Sequence, residues 1–196
     1  MEGGFNVLFR FVEVELLWSN PNKTQSHPFE YSFVFLYSNT NNTMHNITIR
    51  KAHPNDLEKL LEFEQGIIIA ERPFDATLKE GKIHYYDIEK MISAVDVKLL
   101  VAEIDSQLIG SGYARIETAK PYLNHETYAY LGFMYTDENH RGKGVNSIII
   151  EALKGWCRSK DISELRLDVY NDNNPAIKAY KKVGFKKHLI NMRMGL

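Results

Sequence analysis

Apolar side chains recur along this chain in two rhythms, and each change of rhythm marks the end of an element. Val145, Ile148, Ile149, Ala152, Leu153 and Trp156 fall at steps of three and four, which predicts a helix with one buried face. Just before it, Leu131, Phe133, Met134 and Tyr135 form a β-favouring run that the polar residues 136–140 break. Leu57, Leu60, Leu61, Phe63, Ile67 and Ile68 predict another helix, capped by Asn55 or His53 and ended ahead of Pro73. A short one is expected over 86–94, with Ile88, Met91, Ile92 and Val95 inward. Alternation predicts strands at 47–50, 97–104, 108–116, 128–135, 164–170 and, closing the chain, 185–194. Gly110 and Gly112 inside the third of these predict a bulge or a close backbone contact. A last helix covers 176–183 and stops at Gly184. The order is strand, two helices, a hairpin extended by a third strand, then helix, strand, helix, strand. That is an α/β fold around a mixed sheet.

The first 43 residues read differently. Apolar stretches at 5–18 and 29–37 flank an Asn/Ser/Thr/Pro segment, and a polar spacer precedes Met44. The expectation is an N-terminal extension, 1–43, ahead of a domain over 44–196, with Met44 as the natural start. Glu2 precedes the first apolar stretch with no basic leader, and Arg10, Glu13 and Glu15 interrupt it, which argues against a secretory signal. Length changes little here, since 196 residues make one domain.

Composition narrows the function classes. A net charge of -1 with 25% charged residues lacks the basic excess of a nucleic-acid surface. No apolar run is long enough to cross a bilayer, so no membrane partner is expected. The single cysteine, Cys157, lies on the apolar-rich helix and reads as a buried thiol in a reducing cytoplasm. His125 and His140 lack ligand spacing to any Cys or acid, so no metal is expected.

The candidate chemistry begins where strand meets helix. The first amides of a helix have no partner inside it and form a ready anion site. Gly142 and Gly144 remove the Cβ atoms that would hold a phosphate away, while Arg141 and Lys143 add charge at the opening. A pyrophosphate cradle is expected at 141–147. It is not a P-loop, since only Gly-Lys-Gly-Val-Asn-Ser stands where G-x-x-x-x-G-K-[ST] is needed. A dinucleotide fingerprint fails too, with Ser147 in the place of its last glycine. Both failures argue against a nucleotide-binding regulator.

The run Arg141-Gly142-Lys143-Gly144-Val145-Asn146 instead resembles the R/Q-x-x-G-x-G/A pyrophosphate loop of the GNAT superfamily of N-acetyltransferases, with Asn146 replacing the small last residue. A second signature follows about thirty residues later. Asn173, Ala176, Tyr180, Gly184 and Phe185 match N-x-x-A-x-x-x-Y-x-x-x-G-F at every named place. The resemblance covers 47–196. It implies a mostly antiparallel sheet flanked by about four helices, with a splayed strand pair forming the acyl-CoA slot.

The same resemblance assigns roles. Met134, Tyr135 and Thr136 would offer backbone groups to the pantetheine arm. The amides from Arg141 through Gly142, Lys143, Gly144, Val145 and Asn146 to Ser147 would hold the pyrophosphate. Asn173 would tie the second loop to the cofactor, and Tyr180 would reach the thioester sulfur as general acid. The expected donor is acetyl-CoA. The acceptor is a small-molecule or protein amine, met by Glu71, Arg72, Phe74 and Tyr130, with His84, Tyr85 and Tyr86 as further helpers. Glu71, Asp75, Glu117, Glu126 or a water relayed through Tyr130 stand as candidate bases, and a homodimer is left open. A different class, an acyl-CoA sensor of the same fold without turnover, is separated from an enzyme by release of free coenzyme A.

Overall fold

The computed structural model describes residues 12–13, 33–38 and 44–196, with side chains from residue 47 onward. Its strands are β1 (Val12–Glu13), β2 (Phe33–Ser38), β3 (Met44–Lys51), β4 (Val97–Ile104), β5 (Gln107–Thr118), β6 (Thr127–Thr136) and β7 (Leu165–Arg166). They lie in one sheet in chain order, antiparallel throughout except for β6 beside β7. The helices are α1 (Leu57–Glu71), α2 (Ile88–Ser93), α3 (Val145–Arg158) and α4 (Asn174–Lys182). This is the expected mixed α/β architecture. The expected extension, 1–43, lies outside the described residues apart from β1 and β2, which add to the side of β3 away from β4.

The sheet is covered on both faces, and period-2 alternation distributes its side chains. On one face Ile47, Ile49, Leu100, Ala102, Ala114, Ala129 and Leu131 meet Val145, Ile148, Ile149, Leu153 and Cys157 of α3. On the other, Leu99, Val101, Tyr113 and Phe133 meet Leu60, Phe63 and Ile67 of α1 and Ile88, Met91 and Ile92 of α2. Cys157 is buried as expected, which pushes its thiol pKa up to about 11.

One open choice is settled and two local expectations change. His53 is the cap ahead of α1, and it closes a capping box around the 3-10 turn Pro54–Asp56. Val95 lies beyond the end of α2 and is 93% exposed rather than inward. The two last strands are cut short: only Leu165–Arg166 of 164–170 pairs, and 185–194 forms no strand. Leu165, Leu167 and Val169 alternate, but past Arg166 that segment leaves β6, so the later residues have no ladder to join.

Gly112 shows why glycines interrupt β5. The register with β6 shifts between Ser111 and Tyr113, and a Cβ on Gly112 would fall 2.6 Å from Met134 Sδ. The expected bulge and close contact are both there, and they bend β6 where the candidate site begins.

Candidate active site

Residues 137–147 fold into an open cradle. The Asp137 carboxylate accepts from Asn139 N at 3.0 Å, pairs with His140 Nδ1 at 3.1 Å, and shapes the 3-10 turn Glu138–His140. Gly142 and Gly144 then take φ of +75° and +84°, a backbone that side chains rarely adopt. A Cβ at either would meet nothing within 4 Å, so the space before α3 is open. No side chain caps α3, which leaves its first-turn amides for an anion. By contrast, Asn173 Oδ1 accepts from Ala176 N at 3.2 Å and caps α4. Arg141 Nε donates to Thr136 O at 3.3 Å, which holds its charge at the mouth of the turn. Asn146, where the resemblance expects a small residue, has its buried side-chain oxygen without a partner among the described residues.

Beside the cradle the sheet parts. β6 pairs with β7 only at Ala129–Leu165 and Tyr130–Arg166, and beyond them Leu131 through Thr136 face no partner in the described 167–170 segment. A bulge fixes the far side of β6. Phe133 has φ of +55°, its carbonyl accepts from Ser111 Oγ at 3.0 Å, and its N–H donates to the Tyr86 hydroxyl at 3.3 Å. Neither Phe133 nor Met134 has a partner in the β5 register.

The other end of this opening carries titratable groups from four elements. Burial lifts the Glu71 carboxyl above the ordinary range, the Tyr85 hydroxyl pulling the other way. Burial, and then the Glu71 charge, push the Tyr180 phenol up to about 12. Tyr85 is pushed to about 12 by burial, then by Glu71 and Tyr170. Tyr86 and Tyr130 are raised further, mainly by burial. Tyr130 donates to Asp168 Oδ2 at 3.0 Å, the two facing each other where β6 and the post-β7 segment diverge. A half-buried carboxyl among phenols is suited to taking a proton from a cation, and the phenols to giving one.

Other expected site residues are placed differently. Arg72 donates to Lys79 O at 2.8 Å and Gly81 O at 2.5 Å, so it shapes the loop after α1. The Phe74 ring stacks with Tyr170 at 6.0 Å. Among the candidate bases, Asp75 is paired with Arg193 and Glu117 with Arg115, while Glu126 is exposed ahead of β6. Only Glu71 is brought to Tyr180.

Glu64 was not singled out by the sequence reading. It is fully buried and accepts from Tyr85 N at 2.6 Å and Tyr86 N at 2.9 Å, with His84 Nδ1 at 2.7 Å from its other oxygen. It therefore moors the segment that carries both phenols to α1. Its signal was present: four residues after Leu60 and four before Ile68, it is an acid on the apolar stripe of its helix.

Comparison with known proteins agrees with this fold. The chain is 26% identical over 144 residues to an N-alpha-acetyltransferase of Sulfurisphaera tokodaii, covering 71% of this chain and 80% of that one. It is 32% identical over 102 residues to an L-amino acid N-acetyltransferase of Escherichia coli, covering 50% and 59%. Among solved structures, a mutant of the BH1408 protein from Bacillus halodurans superposes with a TM-score of 0.69 at 19% identity, over 76% of this chain and 98% of that one. A Clostridium acetobutylicum protein described as an acetyltransferase with acetyl-CoA gives 0.57 at 20% identity, over 76% and 96%. The model of the acetyltransferase (GNAT) family matches residues 65–185, more than half of the sequence, and the chain belongs to that family.

Proposed function

We propose that this protein moves an acetyl group from acetyl-CoA to a primary amine, with Glu71 as general base and Tyr180 as general acid. The observation that carries this reading is the open cradle that Gly142 and Gly144 make before the uncapped start of α3, beside the gap where β6 parts from the chain after β7. The chain after β7 reaches the turn that follows Glu71, where Tyr170 donates to Asp75 and stacks on Phe74, and the Glu71 charge adds to the raising of Tyr180. The similar proteins from Sulfurisphaera tokodaii and Escherichia coli, named for acetylating α-amino groups and L-amino acids, support an amine acceptor.

Acetyl-CoA, when bound, supplies the activated acetyl thioester. The amides from Gly142 to Ser147 hold its diphosphate, with Arg141 and Lys143 adding charge. Met134, Tyr135 and Thr136 present backbone groups to its pantetheine arm. Glu71 takes a proton from the acceptor ammonium and leaves a neutral nitrogen to form the C–N bond. The Met134 amide, which has no β5 partner, faces the charge that develops on the carbonyl oxygen. Tyr180, still protonated at neutral pH, gives its proton to the departing sulfur as the C–S bond breaks. The proton shed by the new amide nitrogen restores the phenol.

A panel of amines incubated with acetyl-CoA and the full chain tests this. Release of free coenzyme A that depends on one class of amine supports it, and no release above the amine-free control with any member contradicts it.

A further inference from the structure

We propose that the C-terminal tail, residues 185–196, is a flap latched by Arg193 onto Asp75 across the acceptor end of the slot, admitting a small amine beneath it and requiring displacement by an extended peptide. The inference rests on the acceptor reading above and assigns that site its size selectivity.

The tail is anchored at both ends and loose between them. It leaves α4 through Gly184, whose φ of +103° turns the chain sharply. Phe185 N then donates to Tyr180 O at 3.1 Å, and the two rings meet edge to face at 6.0 Å. Leu189, Ile190, Met192 and Met194 are 77–88% exposed, so these apolar side chains do not hold the span down. Arg193 ends that span with a two-pronged grip on Asp75, Nη2 at 2.8 Å from Oδ1 and Nη1 at 3.2 Å from Oδ2. Its Nη1 also donates to Thr77 Oγ1 at 3.1 Å.

Both anchors border the proposed chemistry. Tyr180 is the general acid, and Asp75 stands four residues past Glu71. Tyr170 braces the same corner, donating to Asp75 Oδ2 at 3.4 Å and stacking on Phe74. A strap from Tyr180 to Asp75 therefore passes the end where an acceptor must enter. The latch is also built to open. Arg193 is 63% exposed although Asp75 is only 13% exposed, so water and salt reach the pair from the arginine side and weaken it.

Hydrogen exchange on the full chain tests the latch without any turnover. In Arg193→Ala, the amides of 72–78 and 186–196 should exchange together about two- to five-fold faster at low salt, the range an exposed ion pair controls. Wild-type protein in about 1 M salt should approach that rate. Arg193→Lys, which keeps the charge and leaves Asp75 with its own turn contacts, should hold exchange nearer the wild-type rate than Arg193→Ala does. Turnover then tests the gate: Arg193→Ala should raise the rate with a short peptide bearing a free N-terminus, relative to an amino-acid amide, about two- to five-fold. Unchanged exchange in either segment overturns the latch, and faster exchange with an unchanged ratio overturns the gate. If neither acceptor reacts with wild-type protein, the proposed reaction fails, and the gate it rests on falls with it.

Discussion

Glu71, on the last turn of α1, and Tyr180, on α4, share one electrostatic environment although 109 positions separate them in the chain. Burial raises both, and the carboxylate charge raises the phenol further. A carboxyl that binds a proton more readily thus acts electrostatically on a phenol that stays protonated. In the proposed reaction this pairing would divide the two proton transfers of amine acetylation between two helices.

Replacing the phenol isolates its proton. Tyr180→Phe keeps the ring and its contact with Phe185 while removing the donor. Turnover should fall about 100-fold, and acetyl-CoA affinity measured by calorimetry should be unchanged. Equal turnover would remove Tyr180 from the mechanism.

The carboxyl makes a prediction with a sign. Because Glu71 is raised in the folded state, folding favours its protonated form, so its effect on stability is most favourable below its unfolded pKa and is lost as pH climbs through the folded value. Glu71→Gln should therefore raise the melting temperature at neutral pH. The activity should show an acid limb above the ordinary carboxylate range in wild-type protein, since the base works only when ionised. The variant should lose that limb along with about 100-fold in rate. A pH–rate profile unaltered by the substitution would assign the base elsewhere.

Gly144→Glu tests the cradle. The residue sits at φ of +84° with open space before it, so the substitution adds backbone strain, bulk and a negative charge where a diphosphate belongs. Acetyl-CoA binding should be lost, with circular dichroism reporting that the helices persist. Retained affinity would place the diphosphate away from α3.

Glu64 predicts a stability effect distinct from catalysis. Glu64→Ala leaves the part-buried amides of Tyr85 and Tyr86 without their acceptor. The expected loss is about 3 kcal/mol in urea unfolding. A loss under about 0.5 kcal/mol, the ordinary surface value, would show that another group takes over those amides.

The sequence was most legible where one local rule decides the structure. The stripe on α3 and the two glycines before it announced both helix and cradle, because periodicity and positive φ are properties of a few neighbouring residues. Tyr180 was legible only through its signature, since helical spacing alone made it an ordinary core tyrosine. The strands at 164–170 and 185–194 were misread for a different reason. Alternation reports that a segment could line a sheet edge, whereas pairing needs a partner, and the parting of β6 from the later chain removes it. Likewise, no spacing links Glu71 to Tyr180 or Asp75 to Arg193; the second pair forms only where the tail meets the loop after α1. Glu64 was visible as an acid on an apolar stripe, but its three partners lie about twenty positions away and come only with the folded loop.

The location of bound coenzyme A in a crystal of the complex tests the central claim most directly. The account predicts the diphosphate on the amides of Gly142 to Ser147, the pantetheine arm along Met134 to Thr136 in the gap beside 167–170, and the sulfur at the Tyr180 hydroxyl. A coenzyme seated anywhere else on the molecule would contradict it.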